Sequence, residues 1–381
     1  MNLSIICDVL GEENNGTTIA AMNLIRSMRA KGHRVKVVCP DEDKRGKEDY
    51  FIVSKYNFGP LNGYVEKNGV CLAKPDEEIL REAITGADVV HILVPFALGH
   101  AAAEMAAEMG IPVTASFHCQ AENFTNHIFL MNSDVANRTV YRFFYKQVYR
   151  LCTAIHYPTK FICDVFENEV GPTPHYVISN GVNKSFRYHP AEKPEGMKNE
   201  IFVMFTGRYS REKSHKVLID AVAQSKYRDR IRLILAGAGP LEQKLKEYAG
   251  EKLPLFPVFR FYSREELVNA FNQADLYVHP AEIEIEAISC LEAISCGLVP
   301  VIADSPRSAT RYFALTDDNL FRYNDPASLA SKIDFWIENP EKKAQMRERY
   351  LGYSEQFDFD VCMDRMEHML LAAAEKGARP V

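Results

Sequence analysis

Apolar positions in this chain fall into short unbroken runs that alternate with longer stretches in which they recur every three or four residues. Leu3 to Cys7 is the first run and reads as a buried strand. The loop up to Gly16 carries turn chemistry, Thr17 to Lys31 has helical periodicity and closes at Gly32, and Arg34 to Cys39 is the next strand. The rhythm returns with an apolar Val89 to Leu93, a helical Ala101 to Met109, an extended Pro112 to Ser116, and an extended Ile155 to Tyr157 before another helix. Strands that are apolar throughout, rather than alternating, belong to parallel sheets covered on both faces.

From Ile201 the pattern starts afresh. Strands are predicted at Ile201 to Gly207, Arg230 to Gly237, Val258 to Tyr262 and Ala274 to Pro280, with helices at His215 to Gln224, Pro240 to Gly250, Arg264 to Gln273 and Ile288 to Gly297. This is a second doubly wound unit. Gly171 to Asn199, rich in prolines, glycines and charges, reads as a hinge region between the two. The fold class is therefore α/β, with two Rossmann-like domains facing across a cleft at the carboxyl ends of their strands, where open sheets bind ligands. A long helical tail follows Ala327 and is interrupted at Pro340.

Size agrees with two cores, since 381 residues exceed the length at which one core stops growing. A hydrophobic fraction of 47% with 25% charged residues marks a folded protein. A net charge of -6 argues against a general nucleic-acid binder, which needs a basic surface for counterion release. The nine cysteines are scattered without C-x-x-C pairs, so neither a zinc site nor a disulfide framework is indicated. No apolar run reaches the ~18 to 20 residues of a membrane span, and the start has no basic leader or cleavage site. The cytoplasm is the expected home, with no resident metal or cofactor.

The chemistry concentrates in the second unit. Past His279-Pro280, Glu284 and Glu292 are separated by seven residues. If most of that interval is helical, at ~1.5 Å per residue, the carboxylates stand on the order of 12 Å apart. That exceeds the ~5 to 9.5 Å at which two acids share one glycosidic bond. They suit the two ends of a long ligand, such as a nucleotide sugar, whose diphosphate would meet the amides of the intervening helix N-terminus. Taken alone, the pair also fits a blander arrangement in which Glu284 caps the helix and Glu292 is a solvated acid. Upstream, Arg208 and Lys213 follow strand Ile201 to Gly207 and offer a donor fork and a point charge for a diphosphate, although alone they also fit solvated loop cations. Gly237 to Pro240 is a sharp turn whose glycines admit either a ligand or a neighbouring loop.

Taken in order, GRYSREK (Gly207 to Lys213), GAGP (Gly237 to Pro240), FYSREEL (Phe261 to Leu267) and ADLYVHPAEIEIEAISCLEAISCGLVPVIA (Ala274 to Ala303) resemble the retaining GT-B glycosyltransferases of the fourth sequence family, the glycosyl transferases group 1. DVVHILVPFALG (Asp88 to Gly99), ASFHCQAEN (Ala115 to Asn123) and VISNGV (Val177 to Val182) extend the likeness more loosely into the first unit. The resemblance implies an N-terminal acceptor-side domain at 1–182, joined by a C-terminal helix at about 363–381 that crosses back, and a nucleotide-sugar domain at 183–362. It assigns Arg208 and Lys213 to the donor diphosphate, with the Ala287 and Ile288 amides and Gly237 beside it. Glu284 goes to the hydroxyls of the transferred sugar, Glu292 to the ribose, and Arg260 and Phe261 to the border of the base. His118 lies beside the reacting centre, and Gly16 lets backbone approach donor and acceptor.

What the family implies as reaction is hexose transfer with retention, from an NDP-sugar such as UDP-glucose, with no protein nucleophile and no catalytic metal. One departure stands out: Ile285 to Ser289 replaces the family's glycine-rich run, and Glu286 adds negative charge close by. Within the family, FHCQAENFTNHIFLMN is similar to bacterial glucosyl-diacylglycerol synthases. The next stretch, Asn137 to Arg150, sets Arg138, Arg142, Lys146 and Arg150 four apart along a helix, beside Tyr141, Tyr145 and Tyr149, with Val140, Phe143, Phe144 and Val148 completing it. That interleaving suits an anionic membrane surface and a lipid acceptor, with the protein peripheral on the inner face of the cell membrane; a core helix with a wet basic side fits it as well. A dinucleotide oxidoreductase would need G-x-G-x-x-G after the first strand, which DVLGEENNGTT lacks. A catalytically silent homologue is opposed by the intact Arg208, Lys213, Glu284 and Glu292. A soluble or polysaccharide-precursor acceptor remains open.

Overall fold

The computed structural model describes residues 1–8, 10, 16–57, 59, 72–126 and 133–379. The turn-rich loop expected at 11–15 and residues 127–132 of the motif before the basic helix lie outside them. The chain divides into two compact units, Met1–Asn180 with Cys362–Val381, and Gly181–Val361.

In the first unit seven strands form one parallel sheet: β1 (Asn2–Ile6), β2 (Arg34–Cys39), β3 (Tyr50–Ile52), β4 (Val89–Ile92), β5 (Val113–Ser116), β6 (Cys152–Tyr157) and β7 (His175–Val177), in the order β3-β2-β1-β4-β5-β6-β7. Ile5 lies between Val37 and His91 in register, and burial of both faces of β1 explains why its sequence does not alternate. The order reverses between β1 and β4, the place where doubly wound sheets open toward ligands.

Helix α1 (Gly16–Ala30) begins one residue earlier than expected. The strand β7 lies inside the predicted hinge region. Its turn is closed by Glu167, whose Oε1 accepts from the Thr173 amide at 2.9 Å, the Thr173 hydroxyl at 2.8 Å and His175 Nδ1 at 2.8 Å. The last helix, Phe359–Lys376, buries Cys362, Met363, Met366, Met369, Leu370 and Ala373. From Cys362 onward it is part of the first unit, where Glu367 accepts from Lys31 at 2.9 Å and His33 at 2.6 Å.

The second unit carries a parallel sheet of six strands: β8 (Ile201–Thr206), β9 (Ile231–Ala236), β10 (Val258–Arg260), β11 (Leu276–His279), β12 (Pro300–Ala303) and β13 (Leu320–Phe321), ordered β10-β9-β8-β11-β12-β13. The reversal falls between β8 and β11. The tail is three helices, Pro326–Glu338, Pro340–Ser354 and Phe359–Lys376, and Pro340 sits at the first position of the second, where its missing N–H costs nothing. Trp336 is fully buried and donates Nε1–H to the Asp318 carbonyl at 3.0 Å.

Candidate active site

Both segments singled out in the second unit leave the sheet at its switch point. The loop after β8 is held down by Tyr209, a buried side chain whose hydroxyl donates to the Leu235 carbonyl at 2.6 Å. Its neighbour is the Gly237–Pro240 turn: a Cβ on Gly237 would stand 2.1 Å from the Gly207 carbonyl oxygen, and one on Gly239 2.6 Å from the Tyr209 nitrogen. Of the two roles open to these glycines, close approach of a neighbouring loop is the one built here, with Tyr209 N–H bonded to the Ala238 carbonyl at 3.0 Å. Arg208 is half-buried at the start of this loop. A 3-10 turn over Arg211–Lys213 then presents Lys213 and ends on Ser214 in the left-handed region, with φ 55°.

Glu284 follows β11 in a loop pinned from two sides. The Glu282 amide donates to the Glu212 carbonyl at 2.8 Å, the Ala309 amide donates to the Glu284 carbonyl at 2.8 Å, and Arg307 pairs with Glu282. The Glu284 side chain caps no helix. Its Oε1 accepts from both Lys213 Nζ and His279 Nε2, the latter at 3.2 Å, while Oε2 takes no hydrogen bond among the described residues. Burial by itself would raise this carboxyl, but the Lys213 charge and the bonds from His279 and Lys213 outweigh it and hold it down to about 2. Lys213 and Glu284, expected on different parts of one ligand, thus touch each other.

The last four of the seven residues between Glu284 and Glu292 are helical, and the helix starts where the sequence predicts it. Helix α10 (Ile288–Ser295; the tenth α-helix among the described residues) begins at Ile288, and its N-cap Ala287 is left-handed at φ 61° with no side-chain cap. The family's glycine-rich run is absent here, yet the backbone still makes a turn that favours glycine. Glu286 is 5% exposed, a buried rather than a solvated side chain. Glu292 is half-buried, and burial pushes its carboxyl up to about 7 against the opposing charge of Arg264, so it is no ordinary solvated acid either. Arg260 ends β10, pairs with Glu266 and lies over the Tyr262 ring, while Phe261 is 65% exposed.

Sequence reasoning missed His279. The ring is fully buried behind Glu284, and the signal was available: a histidine closing the otherwise apolar strand Leu-Tyr-Val-His.

In the first unit, His118 follows β5 and is half-buried, its ring 6.0 Å from His156. Burial first, then the neighbouring His156, pushes it down to about 3, so it is a neutral imidazole at pH 7. Beneath it runs a buried chain from His91 to the Ser116 hydroxyl at 2.9 Å, on to His156 Nδ1 at 2.8 Å, and to the Ile178 carbonyl at 2.7 Å. Gly16 opens α1, and a Cβ there would meet nothing within 4 Å among the described residues, which impose neither crowding nor a positive φ that demands glycine. Among the described residues, Cys163, Glu167 and His175 bring metal-ligand atoms within 4.8 Å of one another, but the carboxylate is already engaged by the turn after Val170.

The basic helix spans Asp134–Gln147, capped by Ser133, and gives way to a 3-10 turn at Tyr149–Leu151, so Arg150 lies off the α-helical stripe. Tyr141, Phe144, Val148 and Tyr149 belong to the core, with the Tyr141 hydroxyl donating to Glu122 at 2.7 Å. The outer face shows Val135 (74% exposed), Phe143 (52% exposed), Arg138, Arg142 and Lys146. Arg138 pairs with Glu169 at 2.9 Å, while Arg142 and Lys146 make no ion pair among the described residues.

Family models match both units: that of glycosyl transferases group 1 covers residues 190–350, and that of glycosyltransferase family 4 covers residues 14–186. The chain is a glycosyltransferase of group 1. The enzyme is 26% identical over 318 residues to a GDP-mannose-dependent alpha-mannosyltransferase of Corynebacterium glutamicum, covering 79% of this chain and 72% of that protein. It is 23% identical over 325 residues to the alpha-monoglucosyldiacylglycerol synthase of Streptococcus pneumoniae, covering 80% of this chain and 71% of that protein. Among solved structures, Anabaena HepE in complex with UDP and glucose matches 98% of the enzyme and 100% of its own chain, at a TM-score of 0.72 and 17% identity. The fold is that of GT-B glycosyltransferases. No described helix of the enzyme is long and apolar enough to cross a membrane.

Proposed function

We propose that this glycosyltransferase moves a hexose, glucose or galactose, from a UDP-sugar to a hydroxyl of a membrane lipid such as diacylglycerol or a glycolipid, with retention at the anomeric carbon. The observation that carries the donor side is the Lys213–Glu284 pair at the switch point of the second unit, with Glu284 Oε2 left open. Held as an anion, Glu284 accepts hydroxyl protons of the sugar through Oε2. Lys213 has three N–H donors and gives one to Glu284; with Arg208 it meets the diphosphate. As the anomeric C–O bond breaks, the electron pair leaves with the phosphate, and these two cations offset the charge that develops. The acceptor oxygen bonds the anomeric carbon from the same face, and its proton leaves with the departing phosphate. Glu292 takes ribose hydroxyls, and the exposed Phe261, beside Arg260, offers a face to the base. Arg208 and Lys213 answer the diphosphate charge, so no resident metal is called for.

The lipid acceptor is supported by the outer face of Asp134–Gln147, where Arg142 and Lys146, without an ion pair among the described residues, flank exposed Phe143. Each such cation contributes roughly 1 kcal/mol at an anionic surface. The likeness to a synthase that by name glucosylates a diacylglycerol points the same way. On this reading the enzyme works as a peripheral protein on the cytoplasmic face of a membrane.

Thermal-shift measurements with UDP-glucose, UDP-galactose and GDP-mannose test the donor, because a ligand that binds only the folded state raises the melting temperature. The stabilising donor is then offered, with EDTA present, to anionic vesicles carrying diacylglycerol, a glycolipid or a sterol, and to soluble sugars. Stabilisation by a UDP-sugar and glycosylation of a vesicle lipid are expected. Stabilisation by GDP-mannose alone overturns the donor, and product on soluble sugars alone overturns the acceptor.

A further inference from the structure

The buried groups behind Glu284 form a run of polar contacts with one self-consistent placement of protons. His279 Nε2 lies 3.2 Å from Glu284 Oε1, and His279 Nδ1 lies 3.2 Å from the Tyr277 hydroxyl. The Tyr277 hydroxyl is 3.4 Å from Ser289 Oγ, which donates to the Thr206 carbonyl at 3.2 Å. Three elements therefore converge on one carboxylate: β11 supplies the tyrosine and histidine, α10 the serine, and β8 the terminal carbonyl. His279 is clamped by packing as well, with the Phe205 ring edge-on at 5.4 Å and 85°.

An ionised carboxylate accepts and cannot donate, so Nε2 must carry the hydrogen toward Glu284. Burial holds the His279 imidazole below its ordinary range despite the bond to Glu284, so the ring is neutral and Nδ1 is bare. Nδ1 then accepts from the Tyr277 O–H. The Tyr277 proton is thereby committed, which agrees with a Tyr277–Ser289 separation too long for an ordinary O–H···O bond. The Ser289 proton goes to the Thr206 carbonyl. Any other tautomer of His279 would face a lone pair to the carboxylate.

We propose that His279 is a positioning residue: in its Nε2–H tautomer, set by Tyr277, it fixes Glu284 Oε1 against Lys213 and so leaves Oε2 turned out for the donor sugar. This rests on the reading in which Glu284 binds that sugar. His279 itself touches no substrate; it acts by orientation, as outer groups orient the ligands of a metal.

The test uses donor hydrolysis without acceptor, so it does not depend on the acceptor's identity. The variants are His279→Phe, His279→Gln, Tyr277→Phe and Glu284→Gln, each with its melting temperature. Glutamine places an amide N–H near the position of Nε2, whereas phenylalanine keeps the ring and removes both nitrogens. His279→Phe is expected to lose about tenfold in kcat/KM for the donor, the worth of one hydrogen bond to a charged group. His279→Gln is expected to restore most of it, and Tyr277→Phe to fall between them.

The pH profile separates orientation from packing. Groups facing Glu284 are Lys213, His279, Tyr277 and Cys290. Of these His279 supplies a bond that lowers Glu284, so the acid limb of the profile moves to higher pH in His279→Phe and stays in place in His279→Gln. Equal activity and equal acid limbs in the phenylalanine and glutamine variants overturn the proposal. If His279→Phe does not fold, wild-type turnover and profile in Tyr277→Phe overturn it. Wild-type turnover in Glu284→Gln brings down the donor reading itself. Loss there with none in His279→Phe brings down only the role of His279.

Discussion

Glu284 and Glu292 belong to one motif and are separated by seven residues, yet their surroundings drive them in opposite directions. Both are buried enough for desolvation to be the largest influence, and desolvation raises a carboxyl. At Glu284 a lysine and a histidine overcome it and hold the group down to about 2; at Glu292 only Arg264 opposes it, and the group is pushed up to about 7. One is a fixed anion, the other is poised between acid and carboxylate at neutral pH. Pairs of titratable groups pushed apart in this way mark different tasks within one site. Here the fixed anion suits hydroxyls of a sugar whose geometry must not change during transfer, and the poised acid suits a hydroxyl that is only held.

The largest effect should come from breaking the fixed side. Lys213→Ala leaves Glu284 buried without its counter-charge, a costly state that the carboxyl relieves by taking up a proton. Donor turnover is expected to fall roughly 100- to 1,000-fold, about 3 to 4 kcal/mol of barrier, the usual loss of one preorganised charge. The pH dependence of stability should change with it. A carboxyl held below its unfolded value adds stability that is present above about pH 4.5 and is lost as pH falls toward about 2. Lys213→Ala should therefore melt with a weaker acid dependence than the wild type. Wild-type turnover in this variant would erase the contrast between the two carboxylates.

Glu292 should give a smaller effect of opposite pH sign. A carboxyl raised above its unfolded value contributes stability that is full below about pH 4.5 and is lost as pH rises through about 7. Glu292→Gln is therefore expected to melt higher than the wild type at pH 8 and equally at pH 4. Calorimetry with UDP should show the reverse for binding: wild-type affinity rises between about pH 6 and pH 8 as the carboxylate forms. Glu292→Gln should bind about tenfold more weakly at the upper end, with little pH dependence. A flat wild-type profile would mean that Glu292 does not meet the ribose.

How much of this was legible depended on where the information lies in the chain. Strand Arg34–Cys39 and helices His215–Gln224 and Arg264–Gln273 have the bounds that periodicity predicts, the last because Ser263 and Glu266 form a capping box that is itself a sequence signature. The short edge strands β3 and β7 escaped, since three residues carry no period, and β7 was concealed in a stretch whose prolines and glycines looked like a linker. Helix Glu77–Ile84 was missed although Asp76 caps it with a bond to the Ile79 amide. In the site, the residue types were readable but the backbone conformation between them was not. The start of α10 at Ile288 was readable, but the turn before it was not, since no propensity announces an alanine at φ 61°. His279 stands two residues from Tyr277 and five from Glu284, so those contacts were within reach of the sequence, whereas its packing against Phe205 of β8 was not.

That alanine supplies the smallest and most discriminating test. Ala287 and Ser214 both hold left-handed backbone, φ 61° and 55°, one in the turn between the two glutamates and the other directly after Lys213, and neither gains a side-chain capping bond. A Cβ there costs about 1 to 2 kcal/mol, of which glycine returns part, since its unfolded chain is more disordered by about 0.4 to 1 kcal/mol. Ala287→Gly and Ser214→Gly should each gain roughly 0.5 kcal/mol, a rise of about 1 to 2 °C for a domain of this size. If the strained turn at Ala287 holds Glu284 and Glu292 in their contrasting surroundings, Ala287→Gly should also lower turnover while raising the melting temperature, whereas Ser214→Gly should bear on the fixed anion alone. A melting temperature that falls in Ala287→Gly would mean that the turn is not strained, and that the separation of the two carboxylates is maintained by the packing of α10 instead.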